Sequence, residues 1–372
     1  MSSLYVAAGG GGDALAAAIV HRALGHHAPA VIATYAWDRL AVDPRPGPRS
    51  ARDFTRLRRV GRHVRAIGPS SRVRPPSNST LPRLAGHLDD TLVLLDPSAG
   101  AQGLAEQLEE MVSLAGPETA IVVDVGGDVV ARGDEPGLRS PLADSLVLAA
   151  VGRLDRAAAV LVTGPGLDGE LSEGEVLAVA GQRPVMTLTA ADVAPFQPVF
   201  SWHPSEATAL LVAAARGLRG RVEIRDAGLG VELTDLSAGV YAVSLSELLA
   251  VNRLAAALGD TASLAEVEAI TRDVWGRSEI DYERDKAARW ATQRRAAATR
   301  GRAPSGADLD RLVAHVEATA ARRGADFLTF RRIAEATGLP PAAVAGLRER
   351  LVAARPSHYV WPLWSLTGAR WR

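Results

Sequence analysis

Cysteine is absent from the chain, which excludes disulfides, thiolate metal sites and a cysteine nucleophile, and leaves the compartment open. Lysine is almost absent too: Lys286 stands alone among 42 basic residues. Alanine is abundant as well, so the bias reflects coding composition, and arginine richness by itself carries no binding signal. Net charge is missing, with 42 basic against 42 acidic residues, so no global field draws the chain to nucleic acid or an anionic membrane. No apolar run reaches about 18 residues, and no cationic segment with an apolar core precedes the first strand. Neither a membrane-spanning helix nor a signal peptide is expected. The expectation is a cytoplasmic protein with no membrane partner. At 372 residues it is long enough for a large α/β core and a smaller second part.

What is present starts with Leu4–Asp13, LYVAAGGGGD, running into the helical pattern ALAAAIVHRAL. An apolar run, then Gly9, Gly10, Gly11 and Gly12, then Asp13 and a helix make a strand–loop–helix unit. Glycine lets backbone approach a ligand closely, and the helix N-terminus favours a phosphate or carboxylate. Asp13 repels a bare phosphate, so an anion there needs a cation beside it. Further apolar strands are expected at Ala30–Tyr35, Thr91–Asp96, Ala120–Val125 and Ala159–Thr163, alternating with helical segments. Pro184–Thr189 is a further candidate. This alternation predicts a doubly wound, mostly parallel, Rossmann-like α/β domain over residues 1–245. Ser70–Pro82 reads as a loop or lid. From Leu245 onward the pattern is helical, with a polar linker at Arg294–Gly306. Residues 246–372 form this helical C-terminal region.

Three glycine-rich, acid-bearing loops follow strands: Gly9–Asp13, Gly126–Asp128 and Gly164–Glu170. At the carboxyl ends of parallel strands they should converge on one crevice. Asp13, Asp128 and Asp168 are the expected metal ligands or general base, and Asp124 is expected to orient them. Hard oxygen ligands without cysteine fit Mg²⁺ or Mn²⁺ better than zinc. The competing reading has these acids capping helices and pairing with Arg39, Arg132 or Arg139. Gly126 and Gly127 are expected to approach the ligand, with Asp38 and Glu170 as further contacts. Ser140 and Asp144 suit either ligand contact or a helix cap. His203 and Glu206, before a helix and beside Trp202, suit general acid–base work or capping and packing. Glu279, Asp281 and Glu283 form either a solvated helix face or a closure of the site.

The words GGGGD, WDRLAVDPRPGP, VDVGGD…GLRSPLADS, GPGLDGEL, HPSEAT and EIDYERDKA, taken together and in order, resemble the prokaryotic family called domain of unknown function 1152 over about residues 1–290. The resemblance implies a shared fold and site, and supplies no reaction. The first loop departs from G-x-G-x-x-G because Leu15 stands where the last glycine belongs, and it lacks the Walker lysine. NAD and P-loop ATP hydrolysis are therefore disfavoured, while a nucleotide stays among the candidate ligands.

Phe327–Leu351 has helix–turn–helix spacing, and residues 282–372 hold 17 basic against 8 acidic residues. DNA binding is a secondary reading, since such helix pairs often only pack. Trp361, Trp364 and Trp371 suggest an anchor onto the body or onto a second subunit of a homodimer. The leading expectation is an enzyme acting on a small anionic or nucleotide-type metabolite by metal-assisted group transfer. The alternatives are a hydrolase using the same carboxylates on water, and a ligand-sensing DNA-binding regulator.

Overall fold

In the computed structural model, residues 3–26, 28–116, 119–225, 229–300, 306–339 and 344–368 are described. A nine-stranded sheet forms the centre, with strands β1 Leu4–Gly10, β2 Val31–Tyr35, β3 Arg58–Arg59, β4 Arg65–Ile67, β5 Thr91–Leu95, β6 Ala120–Val125, β7 Ala158–Thr163, β8 Met186–Thr187 and β9 Gly239–Val243. Its order is β8-β9-β7-β6-β1-β2-β5-β4-β3. The five inner strands are parallel, with Leu4 opposite both Val31 and Ala120, and Ala120 opposite Ala158. The strands beyond them on each side run antiparallel.

Strand β1 is apolar throughout because both of its faces are covered. Tyr5 and Ala7 enter one core, with the helix Gly12–Ala23 and Leu210–Ala215. Leu4, Val6 and Ala8 enter the other, with Leu104, Leu108 and Leu142–Val151. The small residues Ala14 and Ala16–Ala18 let the first helix lie close to the sheet. From β1 the chain moves outward through β2 to β5, then returns to the opposite side of β1 for β6 and β7. The loops after β1 and β6 thus part at the carboxyl edge, where a crevice opens in such sheets.

A second sheet joins Leu229–Leu233, Gly220–Ile224, Phe327–Leu328, Leu363–Ser365 and Tyr359–Val360 in that order. It draws strands from both sides of residue 245, and the C-terminal region contributes three of them. The strand Gly239–Val243 leaves its chain neighbours Gly220–Ile224 and Leu229–Leu233 and joins the main sheet as β9. Pro184–Thr189 yields only the two-residue edge strand β8. The helix Glu279–Arg300 runs through the first part of the expected linker Arg294–Gly306, because Ala and Arg sustain helices well. Residues 301–305 of that linker lie outside the described residues. In the helix–turn–helix candidate, Phe330–Ala336 and Val344–Ala354 are helices, and residues 340–343 between them are not described. Among the described residues no helix is long and apolar enough to cross a membrane.

Candidate functional site

A cavity of about 120 Å³ lies at the carboxyl edge. Strand β1 delivers Gly9–Asp13 to it, β2 delivers Trp37–Arg39, β6 delivers Asp124 and Asp128, and the loop after β7 delivers Asp168. Ser140, Asp144, His203 and Glu206 line it as well. Most residues singled out from the sequence therefore meet in one place.

The glycines bring the loops together by packing against protein. A side chain on Gly10 would meet the Trp37 carbonyl, and one on Gly12 the Ser205 side chain. On Gly9 it would lie 2.7 Å from an Asp13 oxygen, on Gly126 2.5 Å from the Asp168 carboxyl carbon, and on Gly127 2.6 Å from Val176. Gly126 and Gly127 also hold φ near +120°, which strains any other residue. The helix Gly12–Ala23 begins after Gly11, which has no side chain to cap its first N–H groups.

The carboxylates fall into two clusters that could hold a metal ion. One is Asp13, Asp124 and Asp144, the other Asp128, Asp168 and Glu170, each offering oxygens within 4.8 Å of one another. The expected trio Asp13, Asp128 and Asp168 is thus divided: Asp13 stands in the first cluster, the other two in the second. The reason is that β6 feeds both clusters, Asp124 near its end to the first and Asp128 just beyond it to the second. Asp13 follows β1, and Asp168 and Glu170 follow β7.

Electrostatics follow from burial. Desolvation raises Asp13 to about 7, against a hydrogen bond from the Gly9 N–H at 2.7 Å; Asp168 opposes ionisation and Arg39 favours it. Burial, then the Glu170 charge, raises Asp168 to about 6. Asp124, Asp128 and Asp144 are pushed well above the usual carboxylate range, first by burial and then by one another's or neighbouring charges. Asp128 and Asp168 offer oxygens within 4.8 Å of one another, so both do not ionise without a proton or cation beside them. Asp128 Oδ1 is buried with no partner among the described residues.

Glu170 behaves differently. Burial acts to raise it, but Arg225, Arg39 and hydrogen bonds from Ser140 and Arg139 outweigh that and hold it ionised. Its oxygens accept from the N–H groups of Arg139 at 2.6 Å and Ser140 at 2.8 Å, and from the Ser140 hydroxyl at 2.6 Å. Ser140 is therefore held by Glu170. Asp144 lies in the first turn of its helix, without a side-chain N-cap on that helix.

Asp38 lines the cavity, yet its oxygens are taken: Thr80 donates its hydroxyl to Oδ1 at 2.6 Å, and Ser79 donates its hydroxyl to Oδ2 at 2.8 Å. It ties the Ser70–Pro82 segment to the rim. Glu206 Oε1 accepts from the Thr329 hydroxyl and the Arg225 N–H. Burial holds His203 down at about 4, so it is neutral at pH 7. Its Nδ1 accepts from the Ser205 N–H, which leaves the ring proton on Nε2, a buried donor without a partner among the described residues.

Glu279 and Glu283 close the site: both are buried and both line the cavity. Glu283 accepts from the Trp37 indole and the Gly47 N–H. Asp281 alone faces outward, paired with Arg272 and Arg284. Sequence reasoning missed Arg225 and Arg331. Arg225 has φ of 56° and reaches the Asp168 carbonyl, while Arg331 approaches Glu206. In the same helix Arg332 pairs with buried Glu223, so these two helix–turn–helix arginines point into the protein. Trp361 and Trp364 are buried on the body; Trp371 is not described.

Residues 4–287 match the family described as protein of unknown function (DUF1152), and the chain belongs to it. No curated protein and no solved structure matches the chain.

Proposed function

For a chain of this family, we propose a metal-assisted enzyme that transfers a group to or from a small anionic or nucleotide-type metabolite. The observation carrying this reading is Asp128 Oδ1, buried and without a hydrogen-bond partner among the described residues, in a cavity whose described lining holds nine carboxyl side chains against three arginines. Such a site needs protons or cations, since like charges this close do not all ionise. Protons serve at low pH; at neutral pH Mg²⁺ or Mn²⁺ suits hard carboxylate oxygens. Asp13 with Asp124 and Asp144 would hold an ion in one cluster, and Asp128 and Asp168 with Glu170 would hold one in the other. When bound, the ion neutralises and polarises a phosphoryl or carboxyl group.

The chain's own residues do the rest. The uncapped helix after Gly9–Gly12 offers N–H groups to the anion, and Gly126–Gly127 let the Asp128 loop come close. Arg39 and Arg225 balance the charge left around Glu170. His203, neutral and with a free N–H, orients a substrate oxygen rather than releasing a proton at pH 7. The parallel order and the two covered faces support a doubly wound, Rossmann-like reading of the domain, which puts a ligand at this crevice. The inward arginines favour the enzyme over a DNA-binding regulator.

Native mass spectrometry of the full chain, incubated with Mn²⁺, tests the assignment. Retained mass for one or two ions is expected, and Asp168→Asn should lose it. A mass equal to the polypeptide alone would overturn the reading. Once a substrate is in hand, product analysis for a stoichiometric acceptor separates transfer from hydrolysis.

A further inference from the structure

A second cavity, of about 230 Å³, adjoins the first and shares His203, Pro204, Ser205, Glu206 and Arg331 with it. Its other walls are of a different kind. They carry three aromatic rings, Phe200, Trp202 and Phe330, and two further arginines, Arg83 and Arg348. Glu206 is the one carboxylate among its described lining residues, and its Oε1 already accepts two hydrogen bonds. The field therefore reverses across the shared wall, from acids in the first chamber to guanidiniums in the second.

The guanidiniums lie on the rings: Arg83 is 4.2 Å from the Trp202 centroid, and Arg348 is 4.9 Å from that of Phe330. Two consecutive residues, Trp202 in the second chamber and His203 at the shared wall, each hold a buried ring N–H that has no acceptor among the described residues. Flat π surfaces, planar arginine forks and unmatched N–H donors together suit a flat ring with oxygen or nitrogen acceptors on its edge. An aliphatic acid would leave the rings unused. A cationic ligand would meet three arginines.

We propose that this second chamber binds the base of a nucleotide whose phosphate lies in the acidic chamber, an assignment that rests on the ion-dependent reading of that chamber. His203 then stands where sugar or base meets the reacting end, and Trp202 supplies both a ring edge and an N–H.

Binding of AMP, CMP, adenosine and ribose 5-phosphate to the full chain, with and without Mn²⁺, tests this by calorimetry and tryptophan fluorescence. At least one nucleotide should bind about tenfold more tightly than ribose 5-phosphate, since stacking of a base is worth that much. Adenosine should bind without Mn²⁺. Arg83→Ala, at an exposed position, and Trp202→Phe, which keeps a ring but removes the N–H, should each weaken nucleotide binding roughly fivefold. Neither should change Mn²⁺ affinity. Equal affinity for ribose 5-phosphate and both nucleotides, or unchanged nucleotide binding in both variants, would overturn the proposal. Mn²⁺ binding with no nucleoside binding overturns the base chamber alone; adenosine binding with no Mn²⁺ binding overturns the ion reading alone.

Discussion

Asp13 and Asp168 hold their protons to about 7 and about 6, both because burial disfavours the charge. An ion must displace those protons, so its affinity is tied to pH. Mn²⁺ should bind more tightly as pH rises from about 5.5 to about 7.5, by up to about tenfold per pH unit for each proton displaced. Calorimetry in buffers of different ionisation enthalpy would register the released protons; a pH-independent affinity would refute the coupling. Asp38 makes the contrast at the same scale. Its oxygens are spent on Ser79 and Thr80, so Asp38→Asn should cost about 1–3 kcal/mol of stability while leaving Mn²⁺ affinity within about twofold. Chemical denaturation and metal titration of one preparation check both halves.

The loops explain how these acids reach one another. Gly126→Ala would force a side chain into the Asp168 carboxyl at a φ that alanine resists. It should lower Mn²⁺ affinity by about tenfold or more, since misplacing a ligand costs as much as losing its support; wild-type affinity in that variant would show the loop to be a spacer only. Such loops were legible in the sequence because glycine and acid follow an apolar run each time, and parallel strands send those ends to one edge. Glu279 and Glu283 were half legible, as acids on a helix whose inward face periodicity alone left open. Arg225 and Arg331 were not legible. They arrive from a strand end and from a helix whose positions depend on the second sheet, and that sheet pairs segments about a hundred residues apart. Asp38 looked like a ligand contact because its partners, Ser79 and Thr80, sit forty residues on, in a segment without periodicity.

For the whole molecule, a buried carboxylate paired with two arginines helps tie the C-terminal region to the body. Buried Glu223, on Gly220–Ile224, accepts from Arg323 at 2.6 Å and from Arg332 at 3.1 Å. Glu223→Gln leaves a buried guanidinium without its counter-charge and should destabilise the chain by about 3 kcal/mol, read as a lower denaturation midpoint. Charge also sets how the fold responds to pH. Asp13 and Asp168 bind protons more tightly folded than unfolded, where the ordinary value is 3.8. Their contribution is therefore whole below about pH 4 and is lost as pH climbs through about 6 and about 7. His203, held down at about 4, acts oppositely below its ordinary 6.5, but is one group against several acids raised in the same sense. With chelator present, the melting temperature should be higher near pH 5.5 than near pH 7.5, and Mn²⁺ should shrink that gap.

The chemistry of the acid-lined chamber depends on whether it takes a divalent cation. The direct measurement is calorimetric titration of Mn²⁺ into the wild type and Asp128→Asn at about pH 7.5. Saturable binding is expected in the wild type, and at least about tenfold weaker binding in the variant. Equal affinity in the two proteins, or no saturable binding in the wild type, would contradict the ion assignment.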